Sequence, residues 1–332
     1  MCVTPMIRAE TFQSYINKKG KKSYKCVWLN REEYDIAMQT STGKNLYKYK
    51  YRRVDVVPCG HCIECQLNYS RQWATDCMCE AFYYDKNTIW FLTLTYADEY
   101  LPQAQYKTDT GEIKKGISLR KKDLQDFWKR LREHYNIKIK YFAAGEYGTT
   151  TSRPHYHAIV FGLPLNTKNF KYLGTGSNCD PIWTEPELEK IWGKGNIVIG
   201  QVTWQSIAYV ARYTLKKAKD KESGINKLYG RIPAFITMSH GIGIRYYKEH
   251  KDQILKTGQV ILPSGTYPCS QRFLRKLREE DIESYTTYKE NAKKNAEIAE
   301  QMKNNTTDAT PEERRQMEKT NKESRFKSIR GL

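Results

Sequence analysis

The sequence predicts an α+β fold on a mainly antiparallel sheet flanked by helices, and three observations carry that prediction. The elements of the middle region run strand, helix, strand, strand, helix, strand, helix. Two of its strands are joined by the eight residues YGTTTSRP, too few for the crossover that a parallel pair needs. A strongly amphipathic helix separates the first strand from that pair.

The 332 residues suffice for one large domain or two ordinary ones, with a sizeable core. Hydrophobic residues make up 39% and tyrosine numbers 25, a globular composition. No apolar run approaches the length of a membrane helix, and MCVTPMIRAETFQSYINKKGKK lacks the apolar core of a signal peptide. The chain therefore reads as soluble and intracellular, with no membrane partner. Lys and Arg number 56 against 37 Asp and Glu, a formal net charge of +19. With aromatics at 13%, this balance points to a partner whose phosphates pair with cations and whose bases stack. Charge alone is also what a merely soluble basic surface carries, so motifs must decide.

Residues 1–58, with KKGKK at 18–22 and YKYKYRR at 47–53, alternate polar and aromatic residues without a helical period. They read as a basic N-terminal arm or short strands. Residues 59–250 carry nearly all the patterned elements and form one domain, with a cysteine cluster near its start. WFLTLTY (90–96) alternates as a half-buried strand does. Ser118 is placed to cap LRKKDLQDFWKRLREH, in which Leu119, Leu124, Phe127, Trp128 and Leu131 make the apolar face. IKIKYFAAGE (137–146) and HYHAIVFG (155–162) read as neighbouring strands. Thr184, with Glu187 three residues on, marks a capping box for a short helix ending at Gly193. NIVIGQV (196–202) is a further strand, and about 204–219 a helix. Residues 251–332 form a charged, partly helical C-terminal extension, with a mobile tail from NNTTDATPEERR. Neither a Walker loop nor a dinucleotide fingerprint is present.

Within HYH, successive strand residues alternate faces, so His155 and His157 point one way and Tyr156 the other. Two imidazoles on one face can converge on one metal ion, although a bare H-x-H is also what two exposed histidines on a sheet edge look like. Glu146 ends the preceding strand, and antiparallel pairing brings its carboxylate beside them. A His, His, Glu set mixes nitrogen and oxygen donors and leaves positions open for water and phosphate, which suits Mg²⁺ or Mn²⁺ better than a closed structural zinc.

In the 204–219 helix, Ile207, Val210, Ala211, Thr214 and Leu215 cluster on one side at 100° per residue. Tyr209, Tyr213 and Lys216 fall on the other, outside the core stripe. A phenol with a pKa near 10 is a poor nucleophile at neutral pH, so it needs a polarised phosphate in front and a cation beside it. Lys216 or Lys217 is placed to be that cation. The i, i+4 spacing lets either tyrosine reach the same phosphate.

Together WFLTLTY, GEYGTTTSRPHYH and YVARYTLKK resemble, in order, the three motifs of the HUH endonucleases that start rolling-circle replication. In particular, the chain resembles the replication initiators of gokushovirus-like Microviridae bacteriophages over roughly residues 55–250, including PCGHC, SRQW and MSHGIGIRYY. The resemblance implies an HUH endonuclease fold whose first motif supplies a strand under the site. It implies metal binding by His155, His157 and Glu146. It also implies an endonuclease and strand transferase in which Tyr209 and Tyr213 take turns, leaving a 5′-phosphotyrosine link and a free 3′-hydroxyl. Arg153, Arg212 and Lys217 are DNA-binding candidates; Arg212 stands where relatives often carry Lys. The implied partners are single-stranded and origin DNA with the host helicase and polymerase, in the host bacterial cytoplasm. A relaxase or single-strand transposase of the same chemistry, or a zinc-stabilised single-strand DNA-binding protein without activity, remain the alternatives.

PCGHCIEC sets Cys59, Cys62 and Cys65 at three-residue spacing. In a reducing compartment close thiols are more often metal ligands than a disulfide framework, which suggests structural Zn²⁺. Cys77 is put forward as the fourth ligand, with Cys79, His61 and Cys2 as alternatives.

Overall fold

The computed structural model describes residues 6–17, 20, 22–30, 51–60, 62–107, 110–148, 151–176, 179–204, 206–211, 230–306 and parts of 309–321. The chain divides into two units, Met1–Asn68 and Tyr69–Leu332.

In the first unit, β1 (Met6–Ile16), β2 (Lys22–Leu29) and β3 (Arg53–Val57) form an antiparallel sheet in the order β2-β1-β3. The described part of the basic N-terminal segment is thus mostly strand. Ile7 and Ala9 are buried on one face, and a register shift between Glu10 and Ser14 interrupts the pairing of β1 with β2. Helix α1 (Ile63–Ala81) starts in this unit and continues into the second.

The second unit is built on a seven-stranded antiparallel sheet. Its strands are β4 (Ile89–Thr95), β7 (Lys140–Tyr147), β8 (Pro154–Phe161), β9 (Lys171–Thr175), β10 (Pro181–Thr184), β11 (Ile197–Gln201) and β12 (Phe235–Met238), in the order β12-β7-β8-β4-β11-β10-β9. A separate hairpin pairs β5 (Gln103–Lys107) with β6 (Ile113–Ile117). The α+β sheet expected from the sequence is therefore observed, with the 147–154 connection joining antiparallel neighbours.

Strand parity decides which residues meet which helices. Trp90, Leu92, Leu94, Tyr156, Ala158 and Val160 face one way, against Leu124, Phe127, Trp128 and Leu131 of α2 (Lys121–Tyr135) and Leu188, Ile191 and Trp192 of α3 (Pro186–Trp192). Ile89, Phe142, Ala144, Ile159 and Phe161 face the other way. There they pack against Trp73, Ala74 and Cys77 of α1 and Ile207, Val210 and Ala211 of α4, a helix described over 204–211. Covering both faces explains why β8 is buried almost throughout and reads as a near-continuous apolar run.

Two helix starts differ from the sequence reading. Helix α2 begins after Arg120, which makes no side-chain cap, while Ser118 Oγ accepts the Ile232 N–H at 2.9 Å. A residue 114 positions away has claimed that hydroxyl, which no local pattern encodes. At α3 the cap is Glu185, which accepts the Leu188 N–H at 2.6 Å; Thr184 donates to Glu189 Oε1 instead. Gly193 closes α3 in the left-handed region at φ 62°, as its position suggested.

The region after residue 243 contains α5 (Ile244–Glu249), α6 (Lys251–Thr257), the β13–β14 hairpin (Gln259–Leu262, Gly265–Pro268), α7 (Gln271–Glu280) and α8 (Ile282–Thr306). It is more than a solvated extension. Phe273, Leu274 and Leu277 of α7 are buried with Tyr246, Tyr247, Ile254 and Tyr288. Their i, i+1, i+4 spacing makes a stripe among the charges. Asp76 of α1, 1% exposed, accepts Tyr247 Oη at 2.8 Å and Arg272 Nη2 at 2.6 Å, and Arg272 lies 3.7 Å from the Trp73 ring. A buried carboxylate held this way is satisfied, and the pair ties α7 to α1. The tail expected to be mobile falls largely outside the described residues. Among the described residues no helix is long and apolar enough to cross a membrane.

Candidate metal centre and its tyrosine

β8 runs between β7 and β4, so both neighbours serve the histidines. His155 pairs across from Glu146 on β7 and Thr95 on β4; His157 pairs across from Ala144 and Thr93. Glu146, Thr93 and the two imidazoles therefore share a face. Tyr156 lies on the opposite face, fully buried, where its hydroxyl donates to the Arg120 carbonyl at 2.9 Å and accepts the Arg120 N–H at 3.1 Å. Burial pushes this phenol up to about 12. The strand is pinned from behind while its front carries the donors.

Those donors converge. Glu146 Oε1 lies 2.9 Å from His155 Nε2 and 3.3 Å from His157 Nε2, and one ligand atom from each residue falls within 4.8 Å of the others. Two donors bound about 2.1 Å from one divalent ion at right angles stand about 3.0 Å apart, so the spacing suits such an ion. The tautomer suits it too. His155 Nδ1 lies 3.1 Å from the Arg153 carbonyl, which can only accept, so Nδ1 carries the proton and a neutral ring leaves its Nε2 lone pair toward Glu146. Thr93 Oγ1 lies 2.9 Å from His157 Nδ1 and orients the second ring in the same sense. Glu146 is 3% exposed and His157 7%, so a cation there would compensate a carboxylate removed from water. The His155 side chain, 18% exposed, marks the more open side.

Arg153, a DNA-binding candidate, is engaged within the protein. Its Nη1 lies 2.5 Å from Asp98 Oδ1, and its Nη2 donates to the Tyr96 carbonyl at 2.8 Å. This holds the carbonyl that fixes His155.

Helix α4 brings Tyr209 to the same face. Its start is tied by reciprocal bonds: Ser206 Oγ accepts from Thr203 N, and Thr203 Oγ1 from Ser206 N. Ile207, Val210 and Ala211 are fully buried, as the helical period required. The half-buried Tyr209 ring stands edge-on to His157 at 5.2 Å between centroids and to Phe91 at 6.3 Å; Phe91 itself stacks on His157 at 5.6 Å. Sequence reasoning missed Thr93 and Phe91 as parts of the site. The signal was present in WFLTLTY, whose alternation puts both on the histidine face. Tyr213, Arg212, Lys216 and Lys217 lie outside the described residues.

In the first unit, the Sγ atoms of Cys59, Cys62 and Cys65 fall within 4.8 Å of one another, with Cys59 and Cys65 3.9 Å apart. Gly60, at φ 78°, makes the turn, and Cys62 N–H donates to Cys59 Sγ at 3.2 Å. Cys77, expected as the fourth ligand, is not part of this group. It is fully buried among Trp73, Ala74 and Ile89 of the second unit, and burial drives its thiol pKa far up. Twelve positions separate it from Cys65 on one helix, about 18 Å of rise. Cys79 is likewise fully buried, and Cys2 and His61 lie outside the described residues.

An antiparallel sheet presenting His-x-His from a central strand, a carboxylate from its neighbour and a tyrosine from a covering helix has the architecture of an HUH domain. Comparison with known proteins agrees. The family model described as replication-associated protein ORF2 matches residues 89–218, from β4 past the Tyr209 helix. The chain is 36% identical over 208 residues to replication-associated protein ORF2 of Spiroplasma virus 4, covering 63% of this chain and 62% of that one. It is 30% identical over 257 residues to replication-associated protein VP4 of Bdellovibrio phage phiMH2K (73% and 74%) and 32% identical over 244 residues to replication-associated protein ORF4 of Chlamydia phage 1 (70% and 57%). The chain belongs to this family of phage replication-associated proteins. Its matched region spans less than two thirds of the Spiroplasma virus and Chlamydia phage relatives. No solved structure matches it.

Proposed function

We propose that the protein is a replication-initiation endonuclease that nicks and rejoins single-stranded DNA at a phage origin, starting rolling-circle replication. The observation that carries this reading is the convergence of Glu146, His155 and His157 beside the ring of Tyr209. Glu146 Oε1 and the two Nε2 atoms would hold Mg²⁺ or Mn²⁺. When bound, the ion supplies a Lewis acid that polarises the scissile phosphate and offsets its charge.

The chain's own residues do the rest. Thr93 and the Arg153 carbonyl fix the imidazole tautomers, and Phe91 and Tyr209 wall the site with rings. Tyr209 Oη gives up its proton and attacks phosphorus; the P–O3′ bond breaks, and the departing 3′-oxygen takes a proton to become a hydroxyl. The DNA stays on the enzyme through a 5′-phosphotyrosine link, and the hydroxyl primes synthesis. Attack of a 3′-hydroxyl on that link restores both the phosphodiester and the phenol. Tyr213 serves as the second nucleophile, Lys216 or Lys217 as the cation, and Arg212 binds DNA backbone. The enzyme works in the host cytoplasm with the host helicase and polymerase.

A nicking assay on single-stranded phage DNA with Mg²⁺ tests this. His157→Ala should abolish cleavage while DNA binding at low salt survives. Cleavage by that variant at the wild-type rate would sink the assignment, and no cleavage by wild type on any single-stranded phage substrate would favour a binding protein.

The thiol group of the first unit is read as a structural Zn²⁺ site. Thiolates about 2.3 Å from a tetrahedral ion stand about 3.8 Å apart, close to the 3.9 Å between Cys59 and Cys65 Sγ. Zinc should copurify at about one per chain and be lost in Cys62→Ala. Metal-free protein that is reduced and active would remove it.

A further inference from the structure

β2 is an edge strand of the first unit's sheet, and its alternate residues Tyr24 and Trp28 share a face with Arg8, which pairs across from Trp28. The opposite face carries the buried Ile7 and Ala9, whereas Trp28 is 57% exposed. The sheet's apolar anchoring is thus met on the far side, and an exposed indole is left for another purpose. Cations surround it. The Arg52 guanidinium lies 3.7 Å from the Tyr24 ring centroid, and Lys22 Nζ 5.8 Å from it. Glu10, the one acid among the described side chains of this face, is paired to Arg52 at 3.4 Å. The sequence repeats the bias, with 12 Lys and Arg against 5 Asp and Glu in residues 1–58.

A ligand for this face must offer flat unsaturated rings and regularly spaced negative charge. Duplex DNA hides its rings in the stack; single strands expose them. We propose that the Tyr24–Trp28 face of the N-terminal sheet is a single-stranded DNA platform, with a base stacked on Trp28 and phosphates paired with Arg8, Arg52 and Lys22. It holds the strand away from the metal centre. The inference rests on the single-strand reading of the preceding section and adds where affinity, as opposed to cleavage, resides.

The test uses the full chain with metal chelated, so that cleavage is silent, and a fluorescent oligothymidine of about ten nucleotides read by anisotropy. Trp28→Ala should weaken binding by about fivefold or more with little change in salt dependence, and Trp28→Phe should restore most of it. Arg52→Gln should lower the slope of log affinity against log salt by about 0.7. Thermal melts of each variant must match wild type. A folded Trp28→Ala protein that binds within about twofold of wild type overturns the platform. So does a wild type that prefers a duplex of the same length, or light scattering in which Trp28→Ala turns a dimer into a monomer, since the face then serves a second copy. Failure of the nicking assay with the Trp28 effect intact would strike the catalytic reading instead.

Discussion

Thr93→Val tests the metal centre without touching a donor. The hydroxyl 2.9 Å from His157 Nδ1 is the group that orients this ring, and valine keeps the branched shape a strand favours while removing it. Because His157 is 7% exposed, water replaces the lost partner poorly, and the fold should lose roughly 1 kcal/mol. The larger effect falls on the metal. A lost partner to a metal-ligating imidazole lowers affinity by about 10- to 100-fold, equivalent to about 1.4 to 2.8 kcal/mol. Cleavage measured against Mn²⁺ concentration should show half-saturation displaced by that factor, with the rate recovering at high metal. Thr93→Ser should lie near wild type, whereas His157→Ala should not recover at any concentration. A folded Thr93→Val protein that half-saturates within about twofold of wild type would refute the orienting role.

Three further outcomes are expected. Tyr209→Phe and Tyr213→Phe should each still nick once and form a covalent adduct, the double variant should form none, and repeated circle release should fail in both singles; mass spectrometry finding DNA on only one tyrosine, with the other freely replaceable, refutes alternation. Tyr156→Phe leaves the Arg120 carbonyl and N–H without their buried partner and should cost about 1–3 kcal/mol in urea denaturation, while Mn²⁺ half-saturation stays put; a loss under about 0.5 kcal/mol would show that water takes over. Bonds from Lys251 and then Ser284 hold the Asp281 carboxyl well below the usual range. A depressed folded pKa contributes stability that is present above the unfolded value, near 3.9, and lost as pH falls toward the folded one. Asp281→Asn should therefore flatten the acid limb of the thermal stability curve below about pH 4 and leave its slope near neutrality unchanged; an unaltered acid limb would contradict this.

Periodicity settled much of this protein on its own. The two-residue repeat of β8 alone sends His155 and His157 forward and Tyr156 back, and the short 147–154 connection forces β7 beside it with Glu146 at the right end. The 3.6-residue repeat of α4 likewise determined that Ile207, Val210 and Ala211 would be buried. These are properties of neighbours in sequence, where backbone geometry leaves little choice. Tertiary structure decided what depends on residues far apart. Strand order placed β4 on the other flank of β8, which made Thr93 and Phe91 partners of His157. Ser118 went to Ile232 instead of capping α2, and Cys77 went to the core instead of the thiol group. A cysteine fits either place, and only the packing around Trp73 and Ile89 distinguishes them. The charge run of α7 concealed Phe273, Leu274 and Leu277 because a narrow stripe is enough when Asp76, Arg272 and Tyr247 hold the helix in place. Local patterns state which face a residue takes; what stands opposite that face is decided by the rest of the chain.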